Sequence, residues 1–193
     1  DKLIHIYYIG DMMKYLLVDT ANLFARARHS TNRGTDTWQK IGLALHIMFN
    51  TLQKVNRLHK PDHVIFALES RSWRKDAQSA YKANRAVVKN KMTVREAEED
   101  KEFWAAYEEF TNWIDQRTNC SVVKIARAEA DDVIARWVAL HPHDQHVILS
   151  NDSDFHQLLS ENCTIYNGLT NHYITLRGYF DDNGKTVRSE EHT

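Results

Sequence analysis

The sequence contains very little cysteine, proline and glycine. Of its 193 residues, only 2 are cysteine, 2 are proline and 6 are glycine. The two cysteines, Cys120 and Cys163, lie far apart beside strand-like residues. This pattern points away from a disulfide framework and indicates reduced core thiols in a cytoplasmic protein. No repeat is visible, and no segment has the composition of an interdomain linker.

Long apolar runs and a net charge are also missing. No apolar stretch reaches the length of a membrane span, and the opening segment 3–9 lacks the basic start of a signal peptide. Lys+Arg 25 and Asp+Glu 26 nearly cancel. A neutral total does not exclude nucleic acid, because the location of charge matters more than its sum. Basic residues concentrate between Arg71 and Arg95, away from the acidic groups.

Short apolar runs alternate with segments of helical spacing. This alternation predicts an α/β domain with a mostly parallel central sheet and helices on both sides. The expected strands are residues 14–18, 63–68, 121–125 and 146–149, followed by a terminal hairpin of 164–166 and 172–175. The expected helices are about 36–59, 94–117, 129–140 and 154–159. We expect an N-terminal extension at 1–13, the domain at 14–180 and a polar tail at 181–193.

Acidic residues follow several of the predicted strands. In a parallel sheet the carboxyl ends of the strands share an edge, and ligands bind beyond that edge. Because carboxylates repel one another, an edge that gathers several of them usually holds them with divalent cations. Such ions activate water and stabilise leaving oxygens in phosphate-ester hydrolysis. The pattern therefore indicates a metal-dependent nuclease, and the candidate ligands are Asp19, Glu69, Glu129, Asp131, Asp132, Asp152 and Asp154.

Simpler explanations exist for some of these acids taken singly. Acids at the start of a helix, such as Glu129 and Asp132, also complement the helix dipole. Asp154 alone can cap the following helix. Neither explanation accounts for the two acidic groups together. A calcium loop of the EF-hand type is excluded because the glycine and the trailing glutamate are missing.

A basic segment with an aromatic residue follows the second predicted strand. Tyr81 can stack on a base, while Lys82 and Arg85 share a helical face and can contact phosphates. Lys82 can also stabilise charge that develops on the scissile phosphate. The alternative, a solvated basic helix face, loses weight beside an acidic cluster. The candidate nucleic-acid-binding residues of this segment are Arg74, Lys75, Tyr81, Lys82 and Arg85.

Taken together and in this order, the motifs resemble the 5′-nuclease family of bacteriophages and bacteria. This family comprises flap endonucleases and the 5′-exonuclease domains of DNA polymerases, and its domain is PIN-like. The resemblance runs from about Lys14 to Thr175. It rests on Val18-Asp19-Thr-Ala-Asn22 with Arg26, Trp73-Arg74-Lys75, Tyr81-Lys82-Ala-Asn84-Arg85, Glu129-Ala-Asp131-Asp132 and Ser150-Asn-Asp152-Ser-Asp154.

The resemblance implies a helical arch over the active site, at about 71–117. It implies hydrolysis of DNA, and of RNA primers in RNA–DNA hybrids, at 5′ ends and flaps by a monomer with two Mg²⁺ ions, for which Mn²⁺ substitutes. Arg26 matches a residue that contacts phosphate, and Glu69 stands where relatives often have aspartate. The expected location is the cytoplasm, or the host cytoplasm for a bacteriophage protein. The expected catalytic residues are Lys82, Asp19, Asp132 and Asp152.

One part of the family pattern is not matched. The family continues with a glycine-rich helix–hairpin–helix segment that binds duplex DNA and adds further acids, whereas this sequence ends in a polar tail. Two alternatives therefore remain: a PIN-type ribonuclease, and a non-catalytic DNA-binding fragment of a 5′-nuclease. The long basic segment favours the 5′-nuclease, since a small ribonuclease usually passes directly from strand to helix.

Overall fold

The computed structural model describes residues 12–31, 36–70, 72–73 and 91–187. Its strands are β1 (Lys14–Asp19), β2 (His63–Leu68), β3 (Ser121–Lys124), β4 (Gln145–Leu149), β5 (Cys163–Asn167), β6 (His172–Thr175) and β7 (Gly178–Asp181). Its helices are α1 (Thr20–His29), α2 (Thr37–His59), α3 (Val94–Arg117) and α4 (Ala130–Leu140), with a 3₁₀ helix at Ser153–Leu158. None of these helices is both long enough and apolar enough to cross a membrane.

The described strands form one sheet in the order β3-β2-β1-β4-β5-β6-β7. The first five are parallel, and β6 and β7 are antiparallel, which confirms the expected mostly parallel α/β architecture. Strand β1 lies between β2 and β4, with Asp19 opposite Ala67 and Val18 opposite Leu149. The carboxyl ends of β1, β2 and β4 therefore meet at the same edge.

Helices cover both faces of the sheet, so the central strands are apolar at consecutive positions. Leu16 and Val18 of β1 belong to the core under α1, α2 and α3. Leu17, which points to the opposite face, packs with α4 and the 3₁₀ helix. These two cores hold the carboxyl edge of the sheet between rigid layers.

The expected helices at about 36–59 and 94–117 are confirmed, but helix α1 was not predicted. It buries Ala21, Phe24 and Ala27 among its apolar positions. Two of these three are small alanines, so the apolar stripe is weak in the sequence. The helix begins directly after Asp19, whose side chain accepts a hydrogen bond from the Asn22 N–H.

Strand β7 was not predicted either. All four of its residues are only half-buried, so the apolar alternation of a strand is faint. The strand ends at Asp181 and thus crosses the boundary at residue 180 that the sequence suggested. The following segment folds back along it, and the Val187 N–H donates to the Tyr179 carbonyl.

Candidate active site

Asp19 is the last residue of β1 and the innermost acid at the carboxyl edge. It is 7% exposed. Its Oδ1 accepts from the Asn22 N–H at 3.3 Å, and its Oδ2 accepts from the Ser150 hydroxyl at 3.0 Å. Burial raises the pKa of Asp19 to about 6, and the negative charges of Glu69 and Asp152 act in the same direction. A buried carboxylate with like charges around it is a place where a cation is favoured.

The segment after β4 brings Asp152 and Asp154 to the same edge. Both side chains are exposed. The Asp152 N–H donates to the Ser150 hydroxyl, and the Asp152 carboxylate accepts from the Asp154 N–H at 3.0 Å. Asp152 thereby caps the 3₁₀ helix, a role that the sequence had offered only for Asp154. Ser150 links this segment to Asp19, because it donates to one acid and accepts from the backbone of the other.

Glu69 comes directly after β2 and has an exposed side chain. The backbone beyond it is bonded to the loop before α4. The Ser70 N–H donates to the Ala128 carbonyl at 3.0 Å, and the Trp73 N–H donates to the Arg127 carbonyl at 2.9 Å. These bonds hold the end of β2 beside the start of α4.

The three acids of α4 lie in its first turn. Glu129 is the N-cap and is 5% exposed. Asp132 accepts from the Glu129 N–H at 3.0 Å, and Asp131 accepts from the Asp132 N–H at 2.9 Å. A capping role, beyond the dipole interaction expected from the sequence, is therefore present at the start of α4. It leaves carboxylate oxygens that can bind a cation, because each carboxylate has several lone-pair sites.

The structure thus places all seven candidate ligands at strand ends or helix starts of the carboxyl edge. Asp19 interacts electrostatically with Glu69 and Asp152. Helix α4, which carries the other group of acids, packs against β1, β2 and the 3₁₀ helix. Within the described residues, no three acidic, histidine or cysteine side chains converge closely enough to hold a metal ion as they stand. Ligation would require side-chain rotation, which the exposed Glu69, Asp152 and Asp154 allow.

Arg26 lies in α1, one side of a cleft that opens beside the acids. The cleft is also lined by Asn22, Ser150 and Asn151. The ion-paired cations in the described parts of the chain include Arg28, Lys40, Lys54 and Arg177, whereas Arg26 makes no ion pair there. Arg26 is half-buried near the carboxyl edge, and no carboxylate among the described residues neutralises its charge.

The remaining nucleic-acid-binding candidates cannot be placed. Arg74, Lys75, Tyr81, Lys82 and Arg85 lie outside the described residues, as do positions 71 and 74–90 of the expected arch. The described part of the expected arch is 72–73 and 91–117, and it includes α3, which begins at a capping box of Thr93 and Glu96.

Sequence reasoning missed two residues of the site. Ser150 is 4% exposed and bridges Asp19 and Asp152. The sequence feature that could have indicated Ser150 is its position between a buried strand and an acidic pair. Tyr107 lies on the buried face of α3, and the charges of Glu69 and Asp19 help to raise its pKa. No pattern in the sequence marks that relationship.

Three comparisons place this geometry among known proteins. Residues 14–191 match the family described as 5′-3′ exonuclease, N-terminal resolvase-like domain. The chain is 28% identical over 160 residues to DNA polymerase I of Helicobacter pylori strain J99, covering 80% of this chain and 16% of the polymerase. The chain therefore spans about one sixth of the length of that relative.

Solved structures of bacteriophage T5 proteins share the fold. The T5 5′-exonuclease with bound zinc ions superposes with a TM-score of 0.69 at 20% identity, covering 93% of this chain and 71% of the exonuclease. The T5 flap endonuclease in complex with DNA and metal ions gives a TM-score of 0.68 at 21% identity, covering 85% and 58%. At these identities the likeness shows the fold. With the family match over residues 14–191, it follows that the chain belongs to the family of 5′-3′ exonuclease N-terminal, resolvase-like domains.

Proposed function

We propose that the protein is a metal-dependent, structure-specific 5′-nuclease that hydrolyses phosphodiesters of DNA, and of RNA primers, during replication. The observation that carries this proposal is the environment of Asp19. This carboxylate is buried, hydrogen-bonded to Ser150 and surrounded by further acids at the carboxyl edge. A stable fold keeps such a cluster when a cation compensates its charge.

The donor set fits Mg²⁺, with Mn²⁺ as a substitute. All candidate ligands are carboxylates, the hard oxygen donors that these ions prefer. Two ions, when bound, would activate water and stabilise the leaving oxygen. The residues that would hold them are Asp19, Glu69, Glu129, Asp131, Asp132, Asp152 and Asp154. Asp19, Asp132 and Asp152 are assigned the catalytic role because they come from three different elements that meet at the edge.

In this proposal the polynucleotide is bound by Arg26, which lies next to this cluster, and by the basic segment after β2. Arg26 contributes a half-buried guanidinium from α1. The basic segment supplies four further cations, Arg74, Lys75, Lys82 and Arg85, and the ring of Tyr81, which stacks on a base. Lys82 is assigned to the reacting phosphate, and Arg85 to a backbone phosphate. We further propose that the segment 71–92, most of which lies outside the described residues, selects substrates with a free 5′ end.

The deciding experiment is cleavage of matched 5′-flap, single-stranded and hairpin substrates with Mg²⁺, with Mn²⁺ and with EDTA. A 5′-nuclease cleaves the flap near the junction only with a divalent cation. Asp132→Asn and Asp152→Asn should each abolish cleavage without loss of folding. Cleavage of single-stranded RNA without flap preference would assign a PIN-type ribonuclease instead. If the protein binds these substrates but cleaves none of them with any cation, it is a non-catalytic DNA-binding fragment.

We also propose an oligomeric state and a location for the protein. It acts as a monomer on DNA in the cytoplasm, or in the host cytoplasm for a bacteriophage protein. Its described cysteines, Cys120 and Cys163, are both free thiols, which supports a reducing compartment. Sedimentation of the protein with and without a flap substrate tests the monomeric state.

A further inference from the structure

The hydroxyl of Tyr107 is buried without a partner. Tyr107 is 9% exposed, and its hydroxyl has no hydrogen-bond partner in the described part of the chain. Burying a hydroxyl that makes no hydrogen bond costs free energy, and phenylalanine would fill the same space without that cost. A tyrosine at this position is therefore expected to meet a partner that the protein itself does not supply.

The position of Tyr107 points to the candidate active site. Burial raises the pKa of Tyr107, and the charges of Glu69 and then Asp19 raise it further. Among the described residues, three other buried polar atoms without a partner belong to His59, Trp137 and His146. The charges that act on His59 come from Lys14 and Asp182, and those that act on His146 come from Asp144 and His141. Among Tyr107, His59 and His146, only Tyr107 has a pKa that is shifted by acids of the candidate site.

The ring of Tyr107 is fixed by its neighbours. It lies 5.2 Å from the ring of Phe24, which belongs to the helix that starts directly after Asp19. On another side it lies 5.3 Å from Trp104 in an edge-to-face contact. A ring that is packed in this way has little freedom to turn its hydroxyl elsewhere.

We propose that Tyr107 is a positioning residue whose hydroxyl donates a hydrogen bond to an oxygen ligand on the Asp19–Glu69 side of the site. The ligand chemistry is a water carried by a divalent cation or a nonbridging phosphate oxygen. This inference rests on the proposed function. The raised pKa keeps the phenol protonated at neutral pH, so Tyr107 acts as a donor and not as a general base.

The test compares Tyr107→Phe with a matched control, Tyr173→Phe. The first variant keeps the ring contacts with Phe24 and Trp104. The control removes a hydroxyl from β6, where the ring packs against His59 and Tyr166 and the acid that acts on it is Asp182, which is not a candidate ligand. Melting in EDTA reports folding, and titration with Mg²⁺ reports cation affinity without DNA. The affinity for a 5′-flap DNA in Ca²⁺ and the rate of single-turnover cleavage in Mg²⁺ report a hydrogen bond to a phosphate oxygen.

We expect Tyr107→Phe to melt at or above the wild-type temperature in EDTA. If the partner is a cation-bound water, the Mg²⁺ midpoint rises about five- to tenfold, in keeping with the loss of one hydrogen bond. If the partner is a phosphate oxygen, the Mg²⁺ midpoint is unchanged and flap affinity or single-turnover rate falls by a similar factor, about five- to tenfold. Tyr173→Phe changes none of these quantities.

Two results would overturn the inference. One is a Tyr107→Phe protein within twofold of wild type in cation midpoint, flap affinity and rate. The other is an equal effect of Tyr173→Phe, which would show a general response to losing a hydroxyl. Failure of the proposed function looks different, because the wild-type protein itself would then show no Mg²⁺-dependent shift and no cleavage.

Discussion

The hydroxyl of Ser150 donates a 3.0 Å hydrogen bond to the buried carboxylate of Asp19. The two residues are 131 positions apart and meet because β1 and β4 are neighbours in the sheet. The same hydroxyl accepts from the Asp152 N–H at 3.1 Å. Ser150 therefore stabilises the ionised form of one acid and fixes the backbone that carries another.

Ser150→Ala is expected to weaken cation binding more strongly near pH 6 than near pH 8. Loss of the hydroxyl removes a donor that lowers the pKa of Asp19, so this pKa rises further. A rise of one unit corresponds to about 1.4 kcal/mol. The Mg²⁺ midpoint, measured between pH 6 and 8, should rise more steeply on acidification than in wild type. Ser30→Ala is the control, since Ser30 lines the same cleft and its hydroxyl donates to the Arg26 carbonyl and, among the described residues, to no acid. Parallel pH dependences for both variants would contradict the role given to Ser150.

Asp19→Asn is expected to stabilise the protein in EDTA at neutral pH. The folded pKa of about 6 lies above the ordinary 3.8, so the acid's contribution to stability is present below pH 3.8 and is lost as pH rises through 6. The loss amounts to at most about 3 kcal/mol, and the amide does not undergo it. Denaturant unfolding at pH 4 and pH 7.5 measures the difference. We expect Mg²⁺ to stabilise the wild type and not the variant. Equal unfolding free energies in EDTA at pH 7.5 would show that the charge at Asp19 is not destabilising.

His59→Phe is expected to remove a loss of stability on acidification. Burial lowers the pKa of His59 to about 4, and the ring packs against Tyr166 and Tyr173. Stability is therefore present above the unfolded value of 6.5 and is lost as pH falls towards 4. Phenylalanine keeps the ring contacts and removes the unpaired Nε2. The variant should show a flatter unfolding free energy between pH 6.5 and 4, with wild type as reference. A slope identical to wild type would place the acid sensitivity elsewhere.

Replacing Gly168 and Gly42 by alanine should change the free energy of unfolding in opposite directions. A Cβ at Gly168 would lie 2.9 Å from Thr51 Cγ2 and 3.3 Å from Leu149 Cδ1, and Thr51 is held by a bond to the Ile47 carbonyl. Gly168→Ala should cost about 1–3 kcal/mol. Gly42, inside α2, has nothing within 4 Å of such a Cβ. Gly42→Ala should gain about 1 kcal/mol, because alanine favours the helix. Urea midpoints at constant m-value test both substitutions. An unchanged midpoint for Gly168→Ala would mean that the segment carrying Gly168 moves away from α2.

The sheet and most of its acids could be predicted because their signals are local. Each buried strand is a short apolar run, and Asp19 and Glu69 come directly after such runs. Helix α3 was equally clear, since its apolar residues recur at helical spacing over 24 residues. Helix α1 escaped because alanines supply two of its buried positions, and alanine gives little hydrophobic contrast.

Relationships between distant residues could not be predicted. The Ser150–Asp19 bond depends on the strand order, and the direction of the Tyr107 hydroxyl depends on how α3 crosses the sheet. The tryptophans show the same limit, because the sequence does not say how far each ring is buried. Trp38 is 69% exposed, and Trp113 is 50% exposed although its ring contacts Phe49. Helical spacing indicates a face, but it does not say how much of that face a neighbour covers.

Arg26→Gln is expected to weaken binding of a 5′-flap DNA and to reduce its salt dependence. The guanidinium lies in the cleft beside Ser150 without an ion pair among the described residues. If it meets a phosphate, its loss lowers the slope of log K against log salt by about 1. Fluorescence anisotropy in Ca²⁺, with the salt concentration varied from about 50 to 200 mM, measures this slope.

Arg28→Gln is the matched control for that prediction. It removes the same charge from the same helix, but Arg28 is already paired with Asp100 and lies over the Phe103 ring. Its charge is therefore not available to a phosphate, and the salt slope should stay at the wild-type value. Unfolding midpoints are measured in parallel, because the loss of the Asp100 pair can lower stability without touching DNA. Equal slopes for Arg26→Gln and wild type, at equal stability, would remove Arg26 from the DNA-binding surface. A reduced slope for Arg28→Gln alone would move the phosphate contact to the far end of α1.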